Sequence, residues 1–114
     1  MVGKEEVQRF LDDFKQKAKI YDIVYYPRST NTDTLLALGI TPVMRTAFLM
    51  NLTVKDYYKG PTKDSDPKRA DFFEFGITIQ GQEIYIKLSL GSFDKDPHCM
   101  SFHLAQHPME HPLK

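Results

Sequence analysis

The chain has 114 residues, which is enough for one small domain with a single hydrophobic core and too few for two. Its fifteen basic and fifteen acidic residues cancel, which excludes an overall positive field that attracts nucleic acid. The apolar runs are far shorter than the roughly 20 residues of a membrane span, and the N-terminus lacks a signal-peptide core, so we expect a cytoplasmic protein without membrane contact.

The first part of the chain predicts two helices and a strand. Apolar residues recur at helical spacing over residues 4–20, with glutamates in the first turn, which predicts an amphipathic helix. The β-forming residues 23–26 stop at Pro27 and predict a short edge strand. After a turn at 29–33, we expect a short helix at 33–38.

A third helix is predicted from its N-terminal sequence. Thr41 is a suitable N-cap, and Pro42 is favourable at the first helical position. The helix is expected to continue to about residue 50 and to bury Val43, Ala47 and Met50.

A short turn and a loop are predicted next. Thr53 and Asp56 have the spacing of a capping box, so one helical turn is expected at 54–58. Gly60-Pro61 should end this turn, and residues 62–70 have the composition of a surface loop.

Residues 71–90 have the alternating pattern of a β-hairpin with two different faces, joined at Gln80-Gly81. One face is apolar and carries Phe73, Phe75, Ile77, Ile79, Ile84, Ile86, Leu88 and Leu90. The other face is polar and carries Glu74, Thr78, Tyr85, Lys87 and Ser89. A third strand, predicted at 98–104, adds Met100, Phe102 and Leu104 to the apolar face and Ser101 and His103 to the polar one.

This order of elements describes an α+β domain over residues 1–114, with the N-terminal helices packed on one face of a mainly antiparallel sheet. Because the helices must cover the apolar face, the polar face is expected to be open to a ligand. His107-Pro108 and His111-Pro112 exclude a helix after the last strand, so residues 105–114 are expected to form an extended tail.

The polar face suits acid–base chemistry on a phosphate ester. Metal-free cleavage of RNA needs a base for the 2′-hydroxyl, a cation for the charged phosphorane and an acid for the departing 5′-oxygen. Glu74 or His103 is the candidate base, His103 or Tyr85 the candidate acid, and Lys87 and Lys59 can hold the phosphate. Tyr85 needs nearby cations to act as an acid, and otherwise it positions the phosphate or stacks on a base. No cofactor is expected.

Phosphate binding must be local, because the net charge is zero. One basic stretch ends the first helix, where cations suit the helix dipole: Lys15, Lys17 and Lys19. A second basic stretch lies in the middle of the chain, interleaved with aspartates that also suit a solvated loop: Lys55, Lys59, Lys63, Lys68 and Arg69.

Simpler interpretations of the polar face stay open. Polar side chains on the outer face of a strand are the ordinary result of alternation, and Glu74 and Lys87 can form a cross-strand ion pair. Lys59 can be a solvated loop residue, and Tyr57 and Tyr58 can pack at the edge of the core.

The histidines and the cysteine are the candidate metal ligands and the candidate nucleophile of this sequence. His103, His107 and His111 recur at every fourth position, but the intervening prolines prevent one helix from aligning them, and no metal motif accompanies them. We therefore expect no metal site. The single cysteine, Cys99, excludes an internal disulfide and is expected to be buried rather than nucleophilic.

Three motifs in the second half of the chain resemble the MqsR family of toxin–antitoxin ribonuclease toxins. They are Leu-Thr-x-x-Asp-Tyr-Tyr-Lys-Gly at 52–60, Gly-Gln-Glu-Ile-Tyr-Ile-Lys at 81–87 and Ser-Phe-His at 101–103. The resemblance implies a RelE-like α+β fold, cleavage of mRNA that arrests translation, and neutralisation by a cognate antitoxin protein.

Within this resemblance, the family's lysine after the aromatic pair falls on Lys59, and its strand tyrosine falls on Tyr85. The chain departs from the founding member at two positions, with Glu74 in place of glutamine and His103 in place of lysine. Glutamate and histidine can exchange protons as an acid–base pair, which glutamine cannot do.

The sequence therefore predicts a metal-independent endoribonuclease toxin with the catalytic residues Lys59, Glu74, Tyr85 and His103. The RNA-binding residues are expected to be Lys87, Ser101, Lys55 and Lys63. The alternative is a non-catalytic module that uses the same face to bind a protein or RNA. A structural subunit that pairs through the edge strand at 23–26 is a further alternative, and a homodimer stays open.

Overall fold

The computed structural model describes residues 2–92 and 95–114. Its elements are α1 (Lys4–Tyr21), β1 (Val24–Tyr25), α2 (Ser29–Leu38), α3 (Pro42–Met50), a 3₁₀ turn (Val54–Asp56), β2 (Tyr57–Thr62), β3 (Phe72–Ile79), β4 (Gln82–Ser89) and β5 (His98–Leu104). The strands form one sheet in the order β1-β5-β4-β3-β2, antiparallel except for β1 against β5. The three helices pack against this sheet, which confirms the α+β fold. Among the described residues no single helix is long and apolar enough to cross a membrane, and α2 with α3 reaches that size only across a 98° bend.

The β3–β4 hairpin turns at the predicted residues. Gln80 and Gly81 have φ values of 53° and 77°, as in the two-residue turns that match the twist of paired strands. The resulting register aligns two transverse rows of polar-face positions, Glu74–Lys87–Ser101 and Gly76–Tyr85–His103. The predicted division of the sheet into an apolar and a polar face is therefore confirmed.

Helix α1 covers the apolar face of the sheet. The ring of Phe10 stacks on that of Phe73, with 4.2 Å between centroids, and Phe75 is completely buried. Val7 and Leu11 are buried from the same helical stripe. Because each such side chain contributes about 1.5–3 kcal/mol when fully buried, this face supplies much of the stability of the fold.

Helix α2 begins at Ser29, where a turn was predicted, because its side chains bind the edge of β5. The backbone N–H of Phe102 donates to Asn31 Oδ1 at 3.0 Å, and that of Leu104 donates to Thr34 Oγ1 at 3.1 Å. Strand β1 is only two residues long, so α2 satisfies the part of the β5 edge that β1 leaves unpaired.

Helix α3 has the predicted N-cap, since Thr41 Oγ1 accepts a hydrogen bond from a backbone N–H of the first turn. The prediction of its buried face was wrong: Val43 is 80% exposed and Leu49 is the buried residue. The helix also contacts β1, where the guanidinium of Arg45 lies 3.6 Å from the ring centroid of Tyr25.

The prediction of a helical turn at 54–58, followed by a loop from residue 62, was wrong in its bounds, because a strand, β2, lies between the turn and the loop. The capping box is present, with the Thr53 N–H donating to the Asp56 carboxylate at 2.9 Å, but the turn ends at Asp56. Residues Tyr57–Thr62 then pair with β3 at the sheet edge. An edge strand tolerates Pro61, which has no N–H, and a Cβ at Gly60 would lie 2.9 Å from the β3 backbone.

A bulge in β5 changes the position of Met100. The register shifts between the pairs Lys87–Ser101 and Leu88–Cys99, which leaves Met100 as the extra residue. Met100 is buried but does not join the core cluster, so its predicted place on the apolar face was wrong. Cys99 occupies the apolar face instead, and burial raises the pKa of its thiol to about 12.

The C-terminal segment contains no helix or strand, as expected, but it folds back over the polar face. We call residues 105–114 the C-terminal strap. The N–H of Ala105 donates to the Glu83 carbonyl at 2.9 Å, and that of Met109 donates to the Glu83 carboxylate at 3.2 Å. Met109 then covers Gly76, and Leu113 packs against the core. The polar face, expected to be open, is therefore partly covered.

Candidate functional site

A cavity of about 320 Å³ lies between the polar face of the sheet and the C-terminal strap. Four strands contribute its sheet side: Tyr58, Lys59, Glu74, Tyr85 and His103. The strap contributes the opposite side: Ala105, Gln106, His107 and Met109. The four residues predicted as catalytic therefore line one cavity, whose volume is typical of the smaller ligand pockets in proteins.

The strand register brings Glu74, Tyr85 and His103 together. Tyr85 pairs with Gly76 across the β3–β4 ladder, and its hydroxyl reaches diagonally to donate a hydrogen bond to Glu74 Oε1. On its other side Tyr85 pairs with His103, and their ring centroids are 5.3 Å apart. Tyr85 therefore lies in contact range of both candidate proton-transfer groups.

The surroundings of Tyr85 disfavour its candidate role as an acid. Burial, followed by the hydrogen bond to Glu74 and the charge of that carboxylate, raises the pKa of Tyr85 well above its usual value of 10. The Arg28 guanidinium opposes this shift but is the smallest of the causes. The phenol consequently stays protonated near neutral pH and serves as a hydrogen-bond donor.

His103 is half-buried at the cavity, and a backbone contact defines its neutral tautomer. Its Nδ1 lies 2.9 Å from the carbonyl oxygen of Leu104, which can only accept, so Nδ1 carries the proton. In the neutral ring, Nε2 is then a proton acceptor, and in the imidazolium it is a proton donor.

Lys59 enters the cavity from the edge strand β2. It pairs with Glu74 in the β2–β3 ladder, and its Nζ lies 4.9 Å from the ring centroid of Tyr58. Lys59 is exposed, but it belongs to a strand, which is against the alternative of a solvated loop residue. Tyr57 belongs to the core, in agreement with the packing alternative, whereas Tyr58 lines the cavity.

Lys87 lies beside the cavity. It is the ladder partner of Glu74, but the two side chains do not form an ion pair. Its Nζ lies 4.0 Å from the ring centroid of Phe72. Within residues 2–92 and 95–114, the ion pair closer than 4.0 Å is Arg69–Asp66. The alternative of a structural Glu74–Lys87 ion pair is therefore wrong.

The other residues predicted to bind RNA do not line the cavity. Ser101 lies in register on the polar face but is only 4% exposed, and Lys55 and Lys63 are exposed elsewhere. In the first basic stretch, Lys15 and Lys17 donate to backbone carbonyls of distant loops at 2.7 and 2.8 Å. These two lysines tie α1 to the loops, which is a structural role.

Sequence reasoning missed the strap side of the cavity and Arg28. Gly76 carried a signal, because a glycine within a strand marks a close approach of other atoms. A Cβ at Gly76 would lie 2.8 Å from the sulfur of Met109. His107 lines the cavity, and within the described ranges no three His, Cys, Asp or Glu side chains are grouped to hold a metal ion.

The cavity combines a carboxylate, a phenol, an imidazole and an ammonium group. Together these groups can accept a proton, donate a proton and hold negative charge, which are the requirements for cleaving a phosphate ester. The functional inference depends on this geometry and on the motifs of the chain. No family model, no curated protein and no solved structure matches this sequence.

Proposed function

We propose that the protein is a metal-independent endoribonuclease of RelE-like fold that cleaves single-stranded mRNA in the cytoplasm and arrests translation. The observation that carries the proposal is the convergence of Lys59, Glu74, Tyr85 and His103 on one cavity. The motif resemblance to the MqsR family supports mRNA as the substrate and a cognate antitoxin protein as the partner.

In the proposed reaction, Glu74 is the general base. Its carboxylate takes the proton of the 2′-hydroxyl, and the 2′-oxygen then forms a bond to phosphorus. Tyr85 donates its hydrogen bond to Oε1, which fixes the carboxylate and leaves Oε2 for the substrate. We assign the base to Glu74 because an ionised carboxylate accepts protons only, whereas an imidazole both accepts and donates.

His103 is the general acid of the same reaction. Its imidazolium Nε2 donates a proton to the 5′-oxygen as the bond from phosphorus to that oxygen breaks. Lys59 places an ammonium group at the cavity, where it stabilises the negative charge of the phosphorane. The products are a 2′,3′-cyclic phosphate and a free 5′-hydroxyl, and solvent returns the proton from Glu74 to His103.

The test is cleavage of an RNA that contains all short sequence contexts. Glu74→Gln and His103→Ala should each lower the cleavage rate at least about 100-fold, since a general acid or base contributes about 10²–10⁴-fold. Thr78→Ala is the matched control, because Thr78 is exposed on the same face of β3 and outside the cavity lining. Full activity in both site variants would overturn the assignment.

The same experiment separates an enzyme from a binding module. The endoribonuclease should leave 2′,3′-cyclic phosphate ends, and an RNA with 2′-deoxy residues should stay intact. Expression should stop growth of the host unless the antitoxin is present, and Glu74→Gln should remove this effect. Binding of RNA without any cleavage would favour the non-catalytic module instead.

A further inference from the structure

A second pocket, of about 50 Å³, lies on the same face of the sheet and has no role in the proposed reaction. The sheet and the segment after β1 contribute Tyr26, Ser89, His98 and Met100 to its lining. The β2–β3 loop contributes Asp64, Lys68 and Arg69. Ser89 and His98 are paired in the β4–β5 ladder. Ser89 follows Tyr85 by four positions on β4, which places the pocket about 13 Å from Tyr85 at about 3.3 Å per residue.

Tyr26 and Arg28 connect this pocket with the cavity. The Tyr26 hydroxyl and His98 Nδ1 are 2.9 Å apart, and the Arg28 guanidinium lies 5.3 Å from the Tyr26 ring centroid. Arg28 is also close enough to Tyr85 for its charge to lower the pKa of that phenol. Arg28 therefore contacts a residue of the second pocket and acts electrostatically on a residue of the cavity.

Lys87 lies between the two pockets along β4. It is separated by two positions from Tyr85 and by two from Ser89, on the same face of the strand. Its Nζ contacts the face of the Phe72 ring. Cations and aromatic rings thus alternate along this part of the sheet.

The second pocket has two cationic side chains, Lys68 and Arg69, beside the carboxylate of Asp64. Burial, and after it the positive charge of Arg69, lowers the pKa of His98. Two nearby carboxylates are engaged within the β2–β3 loop: that of Asp64 accepts from the Asp66 N–H at 2.9 Å, and that of Asp66 lies 3.8 Å from Arg69. A third acidic residue, Asp96, opposes the lowering of the His98 pKa. The Arg69–Asp66 pair is exposed, so a phosphate can compete for the guanidinium at small cost.

The C-terminal strap restricts the direction in which a polymer can leave the cavity. It crosses from Glu83 on β4 over Gly76 on β3, and Leu113 reaches the groove beside Tyr57 and Thr62 on β2. A polymer bound at Glu74 therefore meets the C-terminal strap on the side of β2 and β3. The direction along β4 and β5, toward Lys87 and His98, is the one that the strap does not cross.

We propose that Arg28, Tyr26, Lys87, His98, Lys68 and Arg69 form a binding track for a single RNA strand that extends from the cavity. The proposal rests on the proposed function, because it assigns the path of that enzyme's substrate beyond the two nucleotides at the scissile phosphate. Cations that follow the backbone, with aromatic rings between them, are typical of surfaces that bind single strands without strong sequence preference.

The first test measures binding without chemistry. A fluorescent 2′-O-methyl RNA of twelve nucleotides, which lacks the reactive hydroxyl, is titrated with the protein at several salt concentrations. The variant Lys68→Gln/Arg69→Gln should bind about tenfold more weakly, and the slope of log affinity against log salt should fall by about 0.7 for each lost phosphate contact. The control Lys4→Gln/Lys19→Gln removes the same charge from α1, which lies on the opposite side of the sheet, and should change affinity less than twofold.

The second test measures cleavage of a dinucleotide and of a twelve-nucleotide RNA. The variant Lys68→Gln/Arg69→Gln, the track variant, should have a KM about tenfold higher for the longer RNA. Its cleavage of the dinucleotide should be unchanged. Equal effects on both substrates, or the same affinity for the track and control variants, would overturn the track. Loss of affinity in the track variant with no cleavage of either RNA by the unaltered protein would support the track and refute the proposed enzyme.

Discussion

The two faces of the β3–β4 hairpin differ in what covers them, although they alternate along the same strands. Regular structure covers the apolar face, where α1 buries Phe73 and Phe75. Irregular chain covers part of the polar face, where the strap leaves a cavity of about 320 Å³ beside Glu74 and Tyr85. Stability and the proposed chemistry are therefore carried by neighbouring residues that point in opposite directions, which makes them separable by mutation.

The largest expected effect tests this separation directly. Phe75→Ala should lower the free energy of unfolding by about 3–5 kcal/mol, because it leaves a cavity at a fully buried position. Glu74→Gln, one residue away, should change it by less than about 1 kcal/mol, although it lowers the cleavage rate at least about 100-fold. Urea unfolding of both variants measures the difference. Equal destabilisation would show that the two faces are not separable.

A second prediction concerns a polar residue on which stability depends. Asn31→Ala should cost about 2–4 kcal/mol, because it leaves the buried Phe102 N–H and Met100 carbonyl on the β5 edge without their partner. Thr32→Ala on the same helix is exposed and should stay within about 0.5 kcal/mol. Urea unfolding measures both effects. An unchanged free energy of unfolding in Asn31→Ala would mean that the β5 edge is stabilised by β1 and not by α2.

The contact between the C-terminal strap and the polar face gives a third prediction. Gly76→Ala should destabilise the protein by about 1–3 kcal/mol, since the new methyl group overlaps Met109. Met109→Ala should remove most of that cost when it is combined with Gly76→Ala. The coupling energy from a double-mutant cycle is the measurement. A coupling near zero would place the strap away from Gly76.

The smallest expected effect is a pH dependence of stability on the polar face. Burial and the charge of Arg69 lower the pKa of His98 in the folded protein. The unfolded chain then binds more protons below about pH 6.5, so this contribution to stability is present above that pH and is lost as the pH falls through the lowered value. Thermal unfolding at pH 7.5 and pH 5 should show a smaller drop in His98→Gln than in the unaltered protein. An unchanged drop would contradict the prediction.

The predictable part of the candidate site lies on the hairpin and β5. Alternation alone places Glu74, Tyr85 and His103 on one face, and Gln80-Gly81 supplies the turn that sets their register. Both properties are local, because successive strand residues point to opposite faces whatever the rest of the fold. The predicted catalytic set therefore lies in one cavity, and the cleavage assay decides whether it acts there.

The unpredictable parts depend on contacts with elements that are distant in the sequence. Gly60-Pro61 has the local properties of a turn, and it lies in a strand because β3 offers an edge for it. A bulge in β5 removes Met100 from the apolar face. Helix α3 buries Leu49 instead of Val43, and its Arg45 contacts Tyr25 of β1. Each of these outcomes follows from pairing that the local pattern does not contain.

The sequence by itself determined the α+β order of elements, the two faces of the hairpin and the polar set on one of them. Only the tertiary structure decided that β2 brings Lys59 to Glu74, that the strap closes one side of the cavity, and that Tyr85 donates to Glu74. The physical reason is the distance along the chain over which each interaction acts. Periodicity and turn chemistry act over a few residues, whereas the pKa of Tyr85 and the coverage of Gly76 depend on groups that only folding brings together.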